Sequence, residues 1–243
     1  MRVRKRKWVE PFLQNEQTYL LRSREQLQEA IAGKQAYIEI GCGHGEFLCV
    51  MGKEHPDLVY IGFEKDRICV ARAIRKAMEN ELSNVYFING LAERSEDILG
   101  DTKFDGMYLQ FSDPWPKSKH YARRLTYRSF LQSYARVLKP EAFLYFKTDN
   151  LNLFEFTLEE LAFSVFVPQR VSRDFHQEIG SHIMTAYETK FSSQGMPIYH
   201  ILCGIDPQSQ QPDVPRTSGT PEILRNKEAI PAALQSQDRV TIA

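Results

Sequence analysis

The fold is decided by the stretch Ala36-Tyr37-Ile38-Glu39-Ile40-Gly41-Cys42-Gly43-His44-Gly45-Glu46-Phe47. Its first five residues form a short apolar run that is typical of a buried strand. The glycines at alternate positions let the backbone turn sharply and approach a ligand closely. Residues 46–53 carry apolar side chains at a spacing that fits a short helix. The stretch therefore predicts a strand, a glycine loop and a helix, which together make one β-α unit.

Similar units follow along the chain. Asp66 is placed to cap a second helix, and further helices are predicted at 127–138 and 151–161. Repeated β-α units imply a mainly parallel sheet covered by helices on both faces. The last two apolar runs flank Ser193-Gln194-Gly195 and predict an antiparallel hairpin. The predicted strands after the first are 58–63, 84–88, 104–111, 142–146, 163–167, 187–191 and 198–203.

The bulk composition is that of an ordinary globular protein. The chain has 243 residues with 42% hydrophobic and 26% charged side chains, and its net charge is zero. We expect a basic N-terminal extension at 1–34, one domain at 35–205 and a disordered tail at 206–243. No apolar run approaches the roughly 20 residues needed to cross a bilayer, and the start lacks a secretory core, so a cytoplasmic location is predicted.

Metal binding is not expected from the cysteines. The four cysteines form no Cys-x-x-Cys pair, and no paired histidines accompany them. Buried, reduced thiols are the interpretation that fits a cytosolic protein.

The glycine loop favours S-adenosylmethionine over a dinucleotide as cofactor. Its third glycine comes one residue earlier than in Gly-x-Gly-x-x-Gly, and Glu46 places a negative charge where a diphosphate would lie. S-adenosylmethionine carries no phosphate. Glu64, at the end of the second strand, can accept the ribose hydroxyls, and Glu39 lies near the amino acid end of the cofactor. The alternatives are an ordinary strand-terminal acid for Glu64 and a local salt bridge for Glu39.

A second informative stretch reads Phe111-Ser112-Asp113-Pro114-Trp115-Pro116-Lys117 and continues, without an acid, through Lys119, His120, Arg123 and Arg124. A carboxylate beside an aromatic side chain, followed by a basic segment, suits a base held near a phosphate backbone. Lys117, Arg123 and Arg124, with the N-terminal basic run, are predicted to bind phosphates. The alternative is a solvated loop with a buried Trp115, and the sequence leaves open whether Trp115 stacks on a base or packs beneath the loop.

These motifs, with Gly62-Phe63-Glu64 and Thr189-Lys190-Phe191, resemble the bacterial tRNA (guanine-N7)-methyltransferase family from the basic start to about Gly204. The resemblance implies an α/β, Rossmann-like class I methyltransferase fold with seven strands. It also implies methyl transfer from S-adenosylmethionine to N7 of the guanosine at position 46, in the variable loop of tRNA.

The resemblance also implies roles for particular residues. Asp113 would be the catalytic residue and would touch both the cofactor and the base. The basic segment, independently of the resemblance, adds Arg123 and Arg124 as predicted phosphate-binding residues. The cofactor-binding set would be Glu39, Gly41, Gly43, Gly45, Glu64, Asn89, Leu91 and Asp113, and the other substrate-binding residues would be Lys117, Asp149, Thr189, Lys190, Phe191 and Ser192.

Two positions depart from the family pattern. Leu91 stands where the family usually has Asp, so the adenine-side contact would come from backbone or from Asn89, and Ser192 stands where the family has Glu. Three other functions remain open: a methyltransferase acting on a protein or small molecule, a non-catalytic RNA-binding module, and, less favoured by the glycine spacing, an NAD-dependent dehydrogenase. The sequence does not choose between monomer and homodimer.

Overall fold

The computed structural model of the chain describes residues 6–179, residue 188 and residues 195–206. The strands are β1 (Ala36–Ile40), β2 (Val59–Glu64), β3 (Val85–Asn89), β4 (Phe104–Gln110), β5 (Leu138–Thr148), β6 (Phe166–Ser172) and β7 (Tyr199–Ile205). The α-helices of these residues are α1 (Val9–Asn15), α2 (Arg24–Ile31), α3 (Glu46–Glu54), α4 (Arg67–Glu79), α5 (Glu96–Leu99), α6 (Arg128–Val137), α7 (Leu151–Leu161) and α8 (Phe175–Ile179).

The strands form a seven-stranded sheet in the order β3-β2-β1-β4-β5-β7-β6. The pairs β1–β2, β2–β3 and β4–β5 are parallel, whereas β7 runs antiparallel to both β5 and β6. This confirms the predicted fold class, a mainly parallel α/β sheet with a C-terminal antiparallel pair. The chain divides into two compact units, one ending at Thr102 and the other beginning at Lys103.

In the first unit, the three parallel strands are nearly continuous apolar runs because helices cover them. Ile38, Ile61 and Phe87 are completely buried. Asp66 caps α4 as predicted, since its carboxylate accepts hydrogen bonds from the backbone N–H groups of Ile68 at 2.7 Å and Cys69 at 3.2 Å. The cap sets the start of α4 directly after the end of β2.

The N-terminal segment of the first unit is attached to this core. Leu20 forms a parallel bridge with Phe87 of β3, flanked by backbone hydrogen bonds on either side. Arg67 of α4 forms an ion pair with Glu10 of α1 at 2.9 Å, and the guanidinium of Arg75 lies 5.3 Å from the ring centre of Trp8. The part of the predicted extension that the structure describes, residues 6–34, is therefore folded and contains two helices.

In the second unit, α6 and α7 are joined by a buried acid. The Glu160 side chain is completely buried and accepts hydrogen bonds from the backbone N–H of Arg128 at 2.9 Å and from its Nε at 3.1 Å. The hydroxyls of Thr126 and Thr157 lie 2.8 Å apart beside it. These contacts position the chain that leads into α6.

One predicted strand boundary was wrong, and the predicted hairpin around Ser193-Gln194-Gly195 falls largely outside the described residues. The strand expected at 163–167 begins only at Phe166, because Phe163 and Ser164 continue the turn after α7 with backbone bonds to Glu160 and Leu161. The last strand, β7, pairs antiparallel with both β5 and β6. Of the predicted strand 187–191, only Glu188 is described, and it is helical.

None of the helices in the described ranges is both long and apolar enough to span a membrane.

Candidate active site

The glycine loop connects β1 to α3 in the first unit. Gly41, Gly43 and Gly45 have φ of 79°, 55° and 66°, in the left-handed region that disfavours side chains. A Cβ on Gly45 would lie 2.8 Å from the Cβ of Ala73 and 2.9 Å from the Phe87 ring, whereas one on Gly43 would meet nothing within 4 Å. Gly45 therefore permits close packing of helix on sheet, and Gly43 leaves an open face to the loop.

Glu64 is held against this open face. One carboxylate oxygen accepts the Gly43 N–H at 3.0 Å and the other accepts the Asp66 N–H at 2.8 Å. The residue is only 8% exposed. Each oxygen carries a second lone pair, which leaves acceptor capacity for the two hydroxyls of a ribose.

Glu39 lies on β1 opposite Gly62 of β2 and is 4% exposed. Burial, followed by the negative charges of Glu39 and Glu64, raises the pKa of Cys42 well above its usual value. The Cys42 thiol in the loop is therefore protonated at neutral pH. Two buried carboxylates beside an open glycine face supply hydrogen-bond acceptors and negative charge that fit the ribose hydroxyls and the ammonium group of S-adenosylmethionine.

The adenine side of the predicted site contains Asn89 and Leu91. The Asn89 amide donates to the backbone oxygens of Glu64 at 3.0 Å and Lys65 at 3.2 Å, so its nitrogen ties β3 to the end of β2. Leu91 is an apolar side chain that is 52% exposed. A cavity of about 300 Å³ adjoins Asn89, and its lining includes Leu21, Arg22 and Ile98.

Asp113 lies in a strained turn of the second unit. Phe111 and Trp115 have φ of 49° and 40°, a conformation rare for aromatic residues. Such residues cost of order 1–3 kcal/mol each and persist only where surrounding contacts enforce them. One contact is the backbone hydrogen bond from Phe111 N–H to the Lys147 oxygen at 2.9 Å. The turn presents Asp113 as an exposed residue.

The predicted basic segment follows as the 3-10 helix Ser118–Arg123. Lys117 and Arg123 are exposed, as a phosphate contact requires. The guanidinium of Arg123 lies 5.1 Å from the centre of the Trp115 ring, and the His120 ring meets the Trp115 ring edge-on at 5.7 Å. Trp115 is partly exposed within this cluster.

Arg124 is placed differently from its neighbour. It is 2% exposed, and its Nε donates to the Pro114 oxygen at 2.9 Å while a terminal nitrogen donates to the Trp115 oxygen at 3.3 Å. Its guanidinium lies 3.9 Å from the ring centre of Tyr121 and 4.3 Å from that of Phe156. The predicted phosphate contact requires an accessible guanidinium, so the structure corrects this prediction and gives Arg124 an interior role.

Asp149 is the one remaining predicted substrate residue that the structure describes. Asp149 is half-buried directly after β5, and Thr189 to Ser192 lie outside the described residues. Sequence reasoning missed the buried ion pair of Lys147 and Glu188. Lys147 Nζ is 2.9 Å from both carboxylate oxygens of Glu188, and His176 Nε2 is 3.4 Å from one of them. A lysine inside an apolar strand was the signal that could have indicated a buried partner.

Solved structures of methyltransferases share the fold of this chain. An antibiotic-related methyltransferase aligns with a TM-score of 0.61 and 20% identity, covering 76% of this chain and 96% of that one. The 16S rRNA methyltransferase KamB aligns with a TM-score of 0.57 and 13% identity, covering 79% and 96%. At these identities the likeness concerns the fold alone, which is that of a class I methyltransferase.

Sequence comparison shows the family. A family model described as "Putative methyltransferase" matches residues 33–201. The tRNA (guanine-N(7)-)-methyltransferase of Limosilactobacillus reuteri (strain DSM 20016) is 37% identical over 209 residues, covering 83% of this chain and 98% of the relative. That of Lachnoclostridium phytofermentans is 42% identical over 168 residues, covering 68% and 78%. The chain belongs to the tRNA (guanine-N7)-methyltransferase family.

Proposed function

We propose that this protein transfers a methyl group from S-adenosylmethionine to N7 of a guanosine in tRNA, the guanosine at position 46 of the variable loop. The observation that carries the proposal is the exposed Asp113, held in a strained turn and followed by exposed basic residues, in a chain of this family. Since tRNA is a cytoplasmic substrate, the protein acts in the cytoplasm.

The cofactor is held by the first unit. Glu64 would accept hydrogen bonds from the ribose hydroxyls, Glu39 would face the amino acid end, and Gly43 would let the backbone approach the cofactor. When bound, S-adenosylmethionine supplies an electrophilic methyl group, whose carbon–sulfur bond breaks as the N7–carbon bond forms. The proposed adenine-side contact comes from Asn89 and the backbone at Leu91.

The substrate is held by the second unit. Guanine N7 is already a lone-pair nucleophile at neutral pH, so no strong general base is required and positioning supplies most of the catalysis. Asp113 accepts a hydrogen bond from a guanine N–H and stabilises the positive charge that the purine gains. Lys117 and Arg123 bind backbone phosphates, and Asp149 with Thr189, Lys190, Phe191 and Ser192 completes the proposed substrate contacts.

The decisive experiment is incubation of the protein with labelled S-adenosylmethionine and a tRNA transcript, followed by nucleoside analysis. We expect label in 7-methylguanosine, and none when the guanosine at position 46 is replaced by adenosine. Label in another nucleoside, or in added protein and small-molecule acceptors but not in tRNA, would overturn the proposal. Light scattering of the purified protein distinguishes a monomer from a homodimer.

Asp113→Asn tests the role of the carboxylate, because it keeps the shape and removes the charge. We expect kcat to fall about 100-fold or more, the scale found when a transition-state contact is lost. Single-turnover methylation of saturating tRNA measures this, and circular dichroism verifies the fold. Asp101→Asn, at an exposed residue after α5, is the matched control. Full turnover by Asp113→Asn would contradict the assigned role.

A further inference from the structure

The turn that carries Asp113 is short of backbone hydrogen-bond donors. Pro114 and Pro116 have no N–H, and Phe111 and Trp115 adopt φ values that the chain does not favour by itself. Hydrogen-bond donors from outside the turn can stabilise this conformation by binding its carbonyl oxygens.

Arg124 supplies them. Its guanidinium donates to two successive carbonyl oxygens, those of Pro114 and Trp115, directly after Asp113. The guanidinium also lies 3.9 Å from the ring centre of Tyr121 and 4.3 Å from that of Phe156, so aromatic contacts hold it as well as hydrogen bonds. On the other side of Asp113, the Phe111 N–H is held by the Lys147 oxygen of β5. The turn is thus anchored on both sides of its carboxylate.

We propose that Arg124 is a positioning residue for methyl transfer, which orients Asp113 through the backbone of the turn and does not bind tRNA phosphate. The inference rests on the proposed function. The two adjacent arginines then have different roles. Arg123 is exposed and binds tRNA phosphate, whereas Arg124 is buried and positions Asp113.

The first test compares the same substitution at both positions. Arg124→Gln lowers kcat about 10- to 100-fold, the scale of a displaced catalytic group, with little change in the salt dependence of tRNA binding. Arg123→Gln raises KM for tRNA and flattens the slope of log K against log salt by about 0.7–0.9. Arg136→Gln, an exposed arginine at the end of α6, controls for charge removal alone.

Arg124→Lys separates geometry from charge. It keeps the positive charge but cannot donate to both carbonyls in the fixed fork of a guanidinium. We expect this variant to show the kcat loss of Arg124→Gln, with an unchanged affinity for S-adenosylmethionine in the first unit.

A spectroscopic test reports the turn itself. Trp8 and Trp115 are the two tryptophans of the chain, so Trp8→Phe makes Trp115 the single reporter. In that background, Arg124→Lys shifts the Trp115 emission, whereas Arg136→Gln does not.

The outcomes separate this inference from the proposed function. A native kcat in Arg124→Lys, or a salt slope flattened by Arg124→Gln as much as by Arg123→Gln, would overturn it. If the Arg124 variants do not fold, Phe156→Leu is tested instead, because it removes one of the two rings that contact the guanidinium. A native kcat and a native Trp115 emission in this variant would count against the proposal. If the wild-type protein does not methylate tRNA, the proposed function is wrong. The Trp115 emission of Arg124→Lys then still tests whether Arg124 holds the turn.

Discussion

The carboxylate of Glu64 is oriented before any ligand arrives. Two backbone N–H groups, from Gly43 and Asp66, each bind one of its oxygens. Such charge-assisted bonds pay the cost of burying the charge and leave the second lone pairs for a ligand. The position of this residue could be predicted, because an acid directly after an apolar strand lies at the carboxyl end of the sheet.

Glu64→Gln should weaken the binding of S-adenosylmethionine about 10- to 100-fold, since hydrogen bonds to a charged group contribute about 1.5–3 kcal/mol. Isothermal titration calorimetry measures the dissociation constant. Glu79→Gln, at the exposed end of α4, is the control and should bind normally. A dissociation constant equal to that of the wild type would remove Glu64 from the cofactor site.

At the scale of elements, the glycine loop combines two constraints, a left-handed backbone conformation and close packing against neighbouring elements. All three glycines have a left-handed φ, and Gly45, unlike Gly43, is packed against side chains from α4 and β3. The alternation of glycines and the strand before them were readable from the sequence. Which glycine is crowded was not readable, because Ala73 and Phe87 reach it only when α4 and β3 are in place.

Gly45→Ala should therefore destabilise the protein by about 1–3 kcal/mol more than Gly43→Ala, the usual cost of overpacking a core. Both variants share the penalty for a left-handed residue, so the difference isolates the contact with Ala73 and Phe87. Urea unfolding followed by circular dichroism gives both free energies of unfolding. Equal losses would show that the loop moves to accommodate the methyl group.

At the scale of the whole molecule, the buried pair of Lys147 and Glu188 joins residues 41 positions apart in the sequence. Both side chains are almost completely buried, at 1% and 0% exposure. A buried ion pair offsets the cost of removing two charges from water only if both partners are present. Neither partner could be matched to the other from the sequence, since their distance along the chain carries no periodic signal.

Lys147→Met should cost about 3–5 kcal/mol of unfolding free energy, because it leaves the Glu188 carboxylate buried without its cation. The double change Lys147→Met/Glu188→Leu should recover most of that loss. Urea unfolding of Lys147→Met, Glu188→Leu and the double variant gives the coupling free energy of the pair by a double-mutant cycle. Additive losses would mean that the two side chains do not stabilise each other.

The sequence by itself determined the strands β1 to β5, the helices α3, α4, α6 and α7, the glycine loop and the helix cap at Asp66, because each depends on neighbours within a few positions. It did not predict α1, α2 and α5. Only the tertiary structure decided the partner of β7, the Lys147–Glu188 pair and the different roles of Arg123 and Arg124. Two adjacent arginines have identical local chemistry. Burial alone separates them, and burial is set by residues such as Phe156 that the chain brings in from far along its length.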